Sequence, residues 1–261
     1  MSVSIEGEGV SHLDRGEGNL VVRGARSVYE EAGRPFRGVK IACLNRIPTG
    51  RGLGSSAAAW LGGIVGANAL LGSPLDRDAV LWLAARKEGH PDNVAAALLG
   101  GLTVACWCEG RVVAATLAVP PAIQWVVLIP EVEGSTAEAR AVLPPTVSRA
   151  DAVFNLQRLG LLLAGLPAGR PELLAVAMED RLHQPYRGRL FPWMERVAAA
   201  ARSAGAAGCA LSGAGPSLLA AVATGGDVVA RAMESTLAES GIRGRAVVLA
   251  VDSVGTVWEA A

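Results

Sequence analysis

Pro48-Thr49-Gly50-Arg51-Gly52-Leu53-Gly54-Ser55-Ser56-Ala57-Ala58 is the most informative stretch of this chain. Glycines at alternate positions free the backbone to take dihedrals closed to other residues and to approach a ligand closely. Ser55, Ser56 and the alanines at 57–59 then open an apolar segment that reads as a helix to Leu71, stopped by Gly72, Ser73 and Pro74. Unpartnered N–H groups at such a helix start, with the positive end of its dipole, suit a phosphate. A serine hydroxyl at the same place can join the coordination shell of a magnesium ion. The small residues Ala57, Ala58, Ala59, Gly62, Gly63 and Gly66 predict close packing of this helix against a sheet.

The same glycines admit other readings. One is a plain glycine-rich turn capped by serine. Another is the dinucleotide fingerprint G-x-G-x-x-G/A, which Gly52 to Ala57 fit after a short apolar run at Val39–Leu44. That fold wants an acid at the end of a second strand about twenty residues on. Asp76 stands near that distance but ends no strand. Walker-type chemistry is excluded, because no lysine follows the glycines and Lys40 and Lys87, the only lysines, lie elsewhere. The protein-kinase constellation is also missing.

Composition bounds the rest. The 261 residues are 51% hydrophobic and 18% charged, enough to bury a substantial core rather than remain disordered. Basic and acidic residues balance at 24 each, so the basic excess of a nucleic-acid binder is absent. Cys106 and Cys108 form a C-x-C pair, but no second pair or histidine cluster completes a zinc site. Cys43, Cys106, Cys108 and Cys209 read as buried free thiols in a reducing compartment. The polar, acidic start from Ser2 to Glu8 has no signal-peptide pattern, and Ala57–Leu71 is too short for a bilayer span. A cytoplasmic location without membrane or nucleic-acid partners is the expectation.

Helices are predicted over Gly18–Ala32, Ser55–Leu71, Arg77–Arg86, Pro91–Leu99, Val153–Ala164, Glu172–Leu182, Phe191–Gly205 and Asp227–Ser240. Strands are predicted over Val39–Leu44, Gln124–Ile129, Cys209–Leu211, Leu218–Ala223 and Arg245–Val251, with a hairpin of 102–107 and 111–117 around Glu109 and Gly110. Trp125 to Ile129 is continuously apolar, as in a strand covered on both faces. Strands and helices mix in both halves with antiparallel pairing expected, an α+β pattern. Pro120-Pro121 marks a junction, giving domains 1–120 and 121–261.

Two later segments share the character of the first loop. Glu88-Gly89-His90-Pro91-Asp92-Asn93-Val94-Ala95 gathers polar groups at a turn and helix start, and Leu211-Ser212-Gly213-Ala214-Gly215-Pro216-Ser217 is a second glycine-rich turn. With Pro48 to Ala58, their order and spacing resemble the three motifs of the GHMP kinase superfamily, and the middle one resembles the homoserine kinase branch. The resemblance covers most of the chain from about Gly18 onward.

That resemblance implies a two-domain α+β GHMP kinase fold: an N-terminal domain like domain 2 of ribosomal protein S5, and a C-terminal ferredoxin-like α/β sandwich. It implies ATP with Mg2+ as cofactors, and phosphoryl transfer to the hydroxyl of L-homoserine in threonine biosynthesis. ATP contacts fall on Asn19, Pro48, Gly50, Arg51, Gly52, Leu53, Gly54, Ser55, Ser56, Ala57, Ser212, Gly213 and Gly215. Metal ligands are Ser56 and Glu88. His90, Arg140 and Arg187 bind the substrate, two guanidinium forks suiting its carboxylate. Thr136, Asp92 and Asn93 belong to the catalytic group, and a homodimer is the family expectation. Each assignment has a plainer competitor: Glu88 as a solvated acid beside Lys87, Asp92 and Asn93 as first-turn residues, His90 as structural, and Arg140 and Arg187 as surface arginines.

The family's first motif, an N-terminal strand and loop resembling Pro-Ala-Thr-Ser-x-Asn-Leu-Gly-Pro-Gly-Phe-Asp, is absent. Initial strands of the N-terminal sheet are expected to be absent with it, leaving an apolar sheet edge or face exposed. Alternative functions are a mevalonate-pathway type of small-molecule kinase, or a truncated, non-catalytic nucleotide-binding homologue.

Overall fold

The computed structural model describes residues 1–259. The chain divides into two compact units. The first takes 1–49, 54–118 and the described residues from Asp252; the second takes 50–53 and 119–251. The junction near Pro120 is therefore crossed again at Asp252, and Gly50–Leu53 belongs with the second unit.

The first unit runs β1 (Ser2–Gly7), α1 (Leu20–Glu31), β2 (Lys40–Asn45), α2 (Ser55–Leu70), α3 (Arg77–Glu88), α4 (Asp92–Leu99), β3 (Leu102–Cys108) and β4 (Arg111–Leu117). A strand thus forms at Ser2–Gly7, where the sequence reads as merely polar and acidic. It pairs with β2 in parallel, Ser2 opposite Lys40 and Gly7 opposite Asn45, contrary to the antiparallel expectation. The intervening α1 is the long crossover that parallel pairing needs. β3 and β4 form the expected antiparallel hairpin, turning at Glu109 (φ 47°) and Gly110 (φ 79°).

The small residues of α2 act on a helix, not a sheet. A Cβ on Gly63 would stand 2.0 Å from the Val21 carbonyl oxygen, and one on Gly24 would stand 2.7 Å from that of Trp60. α1 and α2 therefore touch backbone to backbone, while Gly62 and Gly66 face open space. Leu61, Ile64, Leu83, Val94 and Val28 fill the core of this unit. Leu44 on β2 and Val104, Trp107 and Val113 on the hairpin stay exposed. From Asp252 the chain is tied back by Gly101 N–H to the Asp252 carbonyl (2.7 Å) and Thr256 Oγ1 to the Ala97 carbonyl (2.9 Å).

The second unit runs β5 (Gln124–Pro130), α5 (Thr136–Ala141), α6 (Arg149–Gly165), α7 (Pro171–Ala177), α8 (Gln184–Arg187), α9 (Met194–Ser203), β6 (Gly208–Leu211), β7 (Leu218–Val222), α10 (Gly226–Glu239) and β8 (Gly244–Leu249). Its four strands are antiparallel in the order β6-β7-β5-β8. The continuously apolar β5 is an inner strand, as its sequence requires. Val126 and Leu128 pack with Leu218, Val197, Met233 and Leu237 of β7, α9 and α10. The single helix predicted over 172–182 is shorter, because α7 ends at Ala177 and a turn follows.

All four cysteines are free, but only Cys209 is buried; Cys106 is exposed, and Cys43 and Cys108 lie between. The expectation of four buried thiols is corrected on this point. Among the described residues, no helix is long and apolar enough to cross a membrane.

Candidate active site

The loop before α2 turns on its glycines. Gly50, Gly52 and Gly54 have φ of 62°, 70° and 74°, left-handed values that cost other residues energy. At Gly52 there is no room either, since a Cβ would lie 2.2 Å from the Ser212 carbonyl oxygen. Gly54 is the N-cap of α2 and provides no side-chain cap. In contrast, Asn19, Asp76, Ser135 and Ser148 each accept from an N–H in the first turn of α1, α3, α5 and α6. α2 thus opens with backbone donors that no side chain satisfies, the arrangement that receives an anion.

On the first unit, polar groups gather beside that helix start. Ser56 Oγ donates to Glu88 Oε1 at 2.5 Å. Glu88 is the last residue of α3, and its side chain is only 8% exposed. It is therefore not the freely solvated acid that its neighbour Lys87 suggests. His90 Nε2 lies 3.9 Å from Glu88 Oε1, and its Nδ1 lies 2.5 Å from Asp92 Oδ1. Asp92 also accepts from the Asn93 N–H at 2.7 Å, so it orients the histidine ring and opens α4 at once. A Cβ on Gly54 would lie 3.9 Å from Asn93 Cβ, which puts Asn93 beside the loop. Among the described residues, no group of three or more His, Cys, Asp or Glu residues forms a metal cluster. Ser56 and Glu88 instead offer two hard oxygen donors, which fit magnesium that completes its shell with water and phosphate oxygens. Asn19 uses its amide on the backbone, accepting from Val21 N–H (2.9 Å) and donating to the Asp14 carbonyl (2.6 Å).

On the second unit, Gly50–Leu53 is fastened at several points. Arg51 Nε donates to the Pro130 carbonyl (2.8 Å), Nη2 donates to the Glu131 carbonyl (2.9 Å), and Nη1 pairs with Glu133 at 3.3 Å. Ser217 N–H donates to the Arg51 carbonyl at 3.3 Å, and Ser212 Oγ donates to that of Gly52 at 2.9 Å. The Ser212–Ser217 turn is closed by Ser212 N–H to the Ser217 carbonyl (2.8 Å) and carries a cis Gly215–Pro216 bond. The part played by Pro130, Glu131 and Glu133 left no local mark in the sequence.

Thr136 and Arg140 lie on one face of α5, four residues apart, and both are exposed. Arg187 is not a surface arginine: it is 5% exposed. Its Nε donates to the Ala139 carbonyl (3.0 Å) and its Nη1 to that of Gly213 (2.8 Å). Burial and then the nearby Arg140 charge push its guanidinium below the ordinary value, with Asp180 acting the other way. Two like charges close together, neither in a salt bridge among the described residues, favour an incoming anion.

Fold and loops define a kinase of the GHMP type. The family profile described as "GHMP kinases N terminal domain" matches residues 19–101, and "GHMP kinases C terminal" matches 162–239. A homoserine kinase from Moorella thermoacetica is 45% identical over 241 residues, covering 92% of this chain and 81% of that one. One from Carboxydothermus hydrogenoformans is 40% identical over 257 residues, covering 98% and 84%. The crystal structure of homoserine kinase from Cytophaga hutchinsonii matches with a TM-score of 0.88 at 30% identity, over 97% of this chain and 83% of that one. The chain belongs to the homoserine kinase family, and it is an ATP-dependent phosphotransferase with an alcohol group as acceptor.

Proposed function

We propose that this protein transfers the γ-phosphoryl group of ATP to the side-chain hydroxyl of L-homoserine, giving O-phospho-L-homoserine for threonine biosynthesis in the cytoplasm. The observation that carries the site assignment is the uncapped start of α2 with Ser56 and Glu88 joined beside it.

Phosphoryl transfer asks the protein mainly for positioning and charge neutralisation. The N–H groups of Gly54 to Ala57 and the Ser56 hydroxyl receive phosphate oxygens. Gly50, Arg51, Gly52 and Leu53, with Ser212, Gly213 and Gly215, are the nucleotide contacts assigned to the second unit, and Pro48 precedes that loop. Asn19 contributes by fixing the start of α1, on which α2 packs. Mg2+ would be held by Ser56 and Glu88, and when bound it neutralises phosphate charge. Arg140 and Arg187 take the substrate carboxylate, and His90, oriented by Asp92, contacts the amino-acid part of the substrate. Asp92, Asn93 and Thr136 hold the acceptor hydroxyl in line, and a loose transition state asks little of a general base. The active species is a homodimer in this reading.

The test is ADP release by the purified chain with Mg-ATP, with and without L-homoserine. Turnover that depends on homoserine is the expected result. Turnover with a mevalonate-type alcohol instead would replace the substrate, and nucleotide binding without turnover by the folded chain would replace the activity.

A further inference from the structure

The turn between α7 and α8 is built on one carboxylate. Asp180, with an 11% exposed side chain, accepts from Asn155 Nδ2 (2.6 Å) and Leu182 N–H (2.8 Å) at Oδ1. At Oδ2 it accepts from His183 N–H (3.0 Å) and Gln184 N–H (2.5 Å). Asn155 Oδ1 in turn accepts from Arg181 N–H at 2.9 Å. The consecutive N–H groups of residues 181–184, which lead the chain into α8, therefore all end on Asp180 or Asn155. Burial pushes the Asp180 carboxyl up, but the Gln184 N–H, the Asn155 amide and the Leu182 N–H outweigh it and hold the group below its ordinary value.

The same turn is fastened to α6 from outside. The Phe154 ring lies between the guanidinium carbons of Arg158 (3.5 Å) and Arg181 (3.8 Å), and Arg158 pairs with Glu179 at 3.0 Å. On the other side, Gln184 Oε1 accepts from Leu211 N–H at 2.9 Å. Arg187 stands one helical turn after Gln184 and donates to the Gly213 and Ala139 carbonyls. A shift of this short helix therefore moves the Arg187 guanidinium directly.

We propose that Asp180, held by Asn155, is a positioning residue for phosphoryl transfer: it fixes α8 so that Arg187 presents its guanidinium to the substrate carboxylate. The inference rests on the assignment of Arg187 made above. An Asp180→Asn side chain keeps the shape but turns an NH2 group or a weaker acceptor toward backbone donors, so the turn must reorganise.

The experiment is a double-mutant cycle on the full chain with Mg-ATP and L-homoserine: wild type, D180N, R187A and D180N/R187A, with thermal unfolding of each. D180N is expected to raise the homoserine KM roughly tenfold or more, with the ATP KM held within about twofold. In the R187A background, D180N should add less than about twofold to the homoserine KM, because the group it positions is gone. Equal effects of D180N in both backgrounds, or a lowered Tm with unchanged homoserine KM, overturns the inference and leaves Asp180 a purely structural residue. An R187A homoserine KM equal to wild type overturns the Arg187 assignment first, and the inference with it. If D180N does not accumulate as folded protein, Asn155→Ala, which leaves the carboxylate in place, carries the same cycle with the same expected and overturning results.

Discussion

Ser56 Oγ, in the first turn of α2, donates to Glu88 Oε1, at the last residue of α3, across 2.5 Å. A hydroxyl at an uncapped helix start is thereby coupled to a largely buried carboxylate. If this pair holds the metal, Glu88→Gln keeps the shape and removes the charge. Its kcat should fall by about a hundredfold or more, on the scale of lost transition-state electrostatics. Ser56→Ala should raise the Mg2+ concentration needed for half-maximal rate. Steady-state ADP release across a magnesium titration measures both, and wild-type kcat in E88Q would return Glu88 to a structural role.

Arg140 and Arg187 supply charge of one sign to the second unit, one exposed on α5 and one buried on α8. Arg140→Ala should raise the homoserine KM by tenfold or more, the worth of a charge-assisted hydrogen bond, with the ATP KM within about twofold. Arg187→Lys should be nearly as harmful as Arg187→Ala. An ammonium cannot serve the Ala139 and Gly213 carbonyls and still present a fork to a carboxylate. Equal losses of homoserine and ATP affinity in R140A would point to a folding defect and remove the assignment.

The parts of this molecule legible in its sequence are those whose physics is local. The alternate glycines of residues 50–54 all take positive φ, the Glu109-Gly110 turn closes its hairpin, and the apolar run of β5 lies inside its sheet. What escaped depends on partners far along the chain. β1 does alternate polar Ser2, Ser4 and Glu6 with apolar Val3 and Ile5, but two apolar residues make a short signal, and the β2 partner that completes the strand lies far along the chain. Helical periodicity carried past Ala177 because nothing nearby shows that Asp180 collects the N–H groups of the next turn. Arg187 looked like one arginine among many until the fold buried it. The return of the chain to the first unit after Asp252 hangs on hydrogen bonds to Gly101 and Ala97, which no local pattern announces.

The glycines of α1 and α2 separate two effects that sequence merges. Gly63 faces the Val21 backbone at a distance no Cβ tolerates, so Gly63→Ala must push the helices apart. A cost of about 1–3 kcal/mol or more is expected from such overpacking. Gly66 sits in the same helix with open space around it, so Gly66→Ala should stabilise by roughly 0.5–1 kcal/mol through helix propensity. Chemical denaturation of the two variants checks the opposite signs, and destabilisation by both would mean that the exposed face of α2 is covered in solution.

Cys209 and Cys106 should behave as opposites toward thiol reagents. Burial pushes the Cys209 thiol up to about 12; the nearby Arg202 charge acts against it, and Glu195 adds to it slightly. At pH 8 the thiolate fraction of such a group is on the order of 10⁻⁴, and the nucleophile is also shielded. Cys106 is exposed on β3. Labelling with iodoacetamide followed by peptide mass mapping should therefore find Cys106 modified in the native protein and Cys209 only after denaturation. The raised value also fixes the sign of a pH effect. The unfolded thiol ionises near 9.0 and the folded one near 12, so the stability contribution of the buried neutral thiol is complete below 9.0 and is lost as pH rises toward about 12. The stability difference between wild type and Cys209→Ala should be flat at neutral pH and shift against wild type above pH 9.0; a flat difference across that range would show that the thiol is reached by solvent.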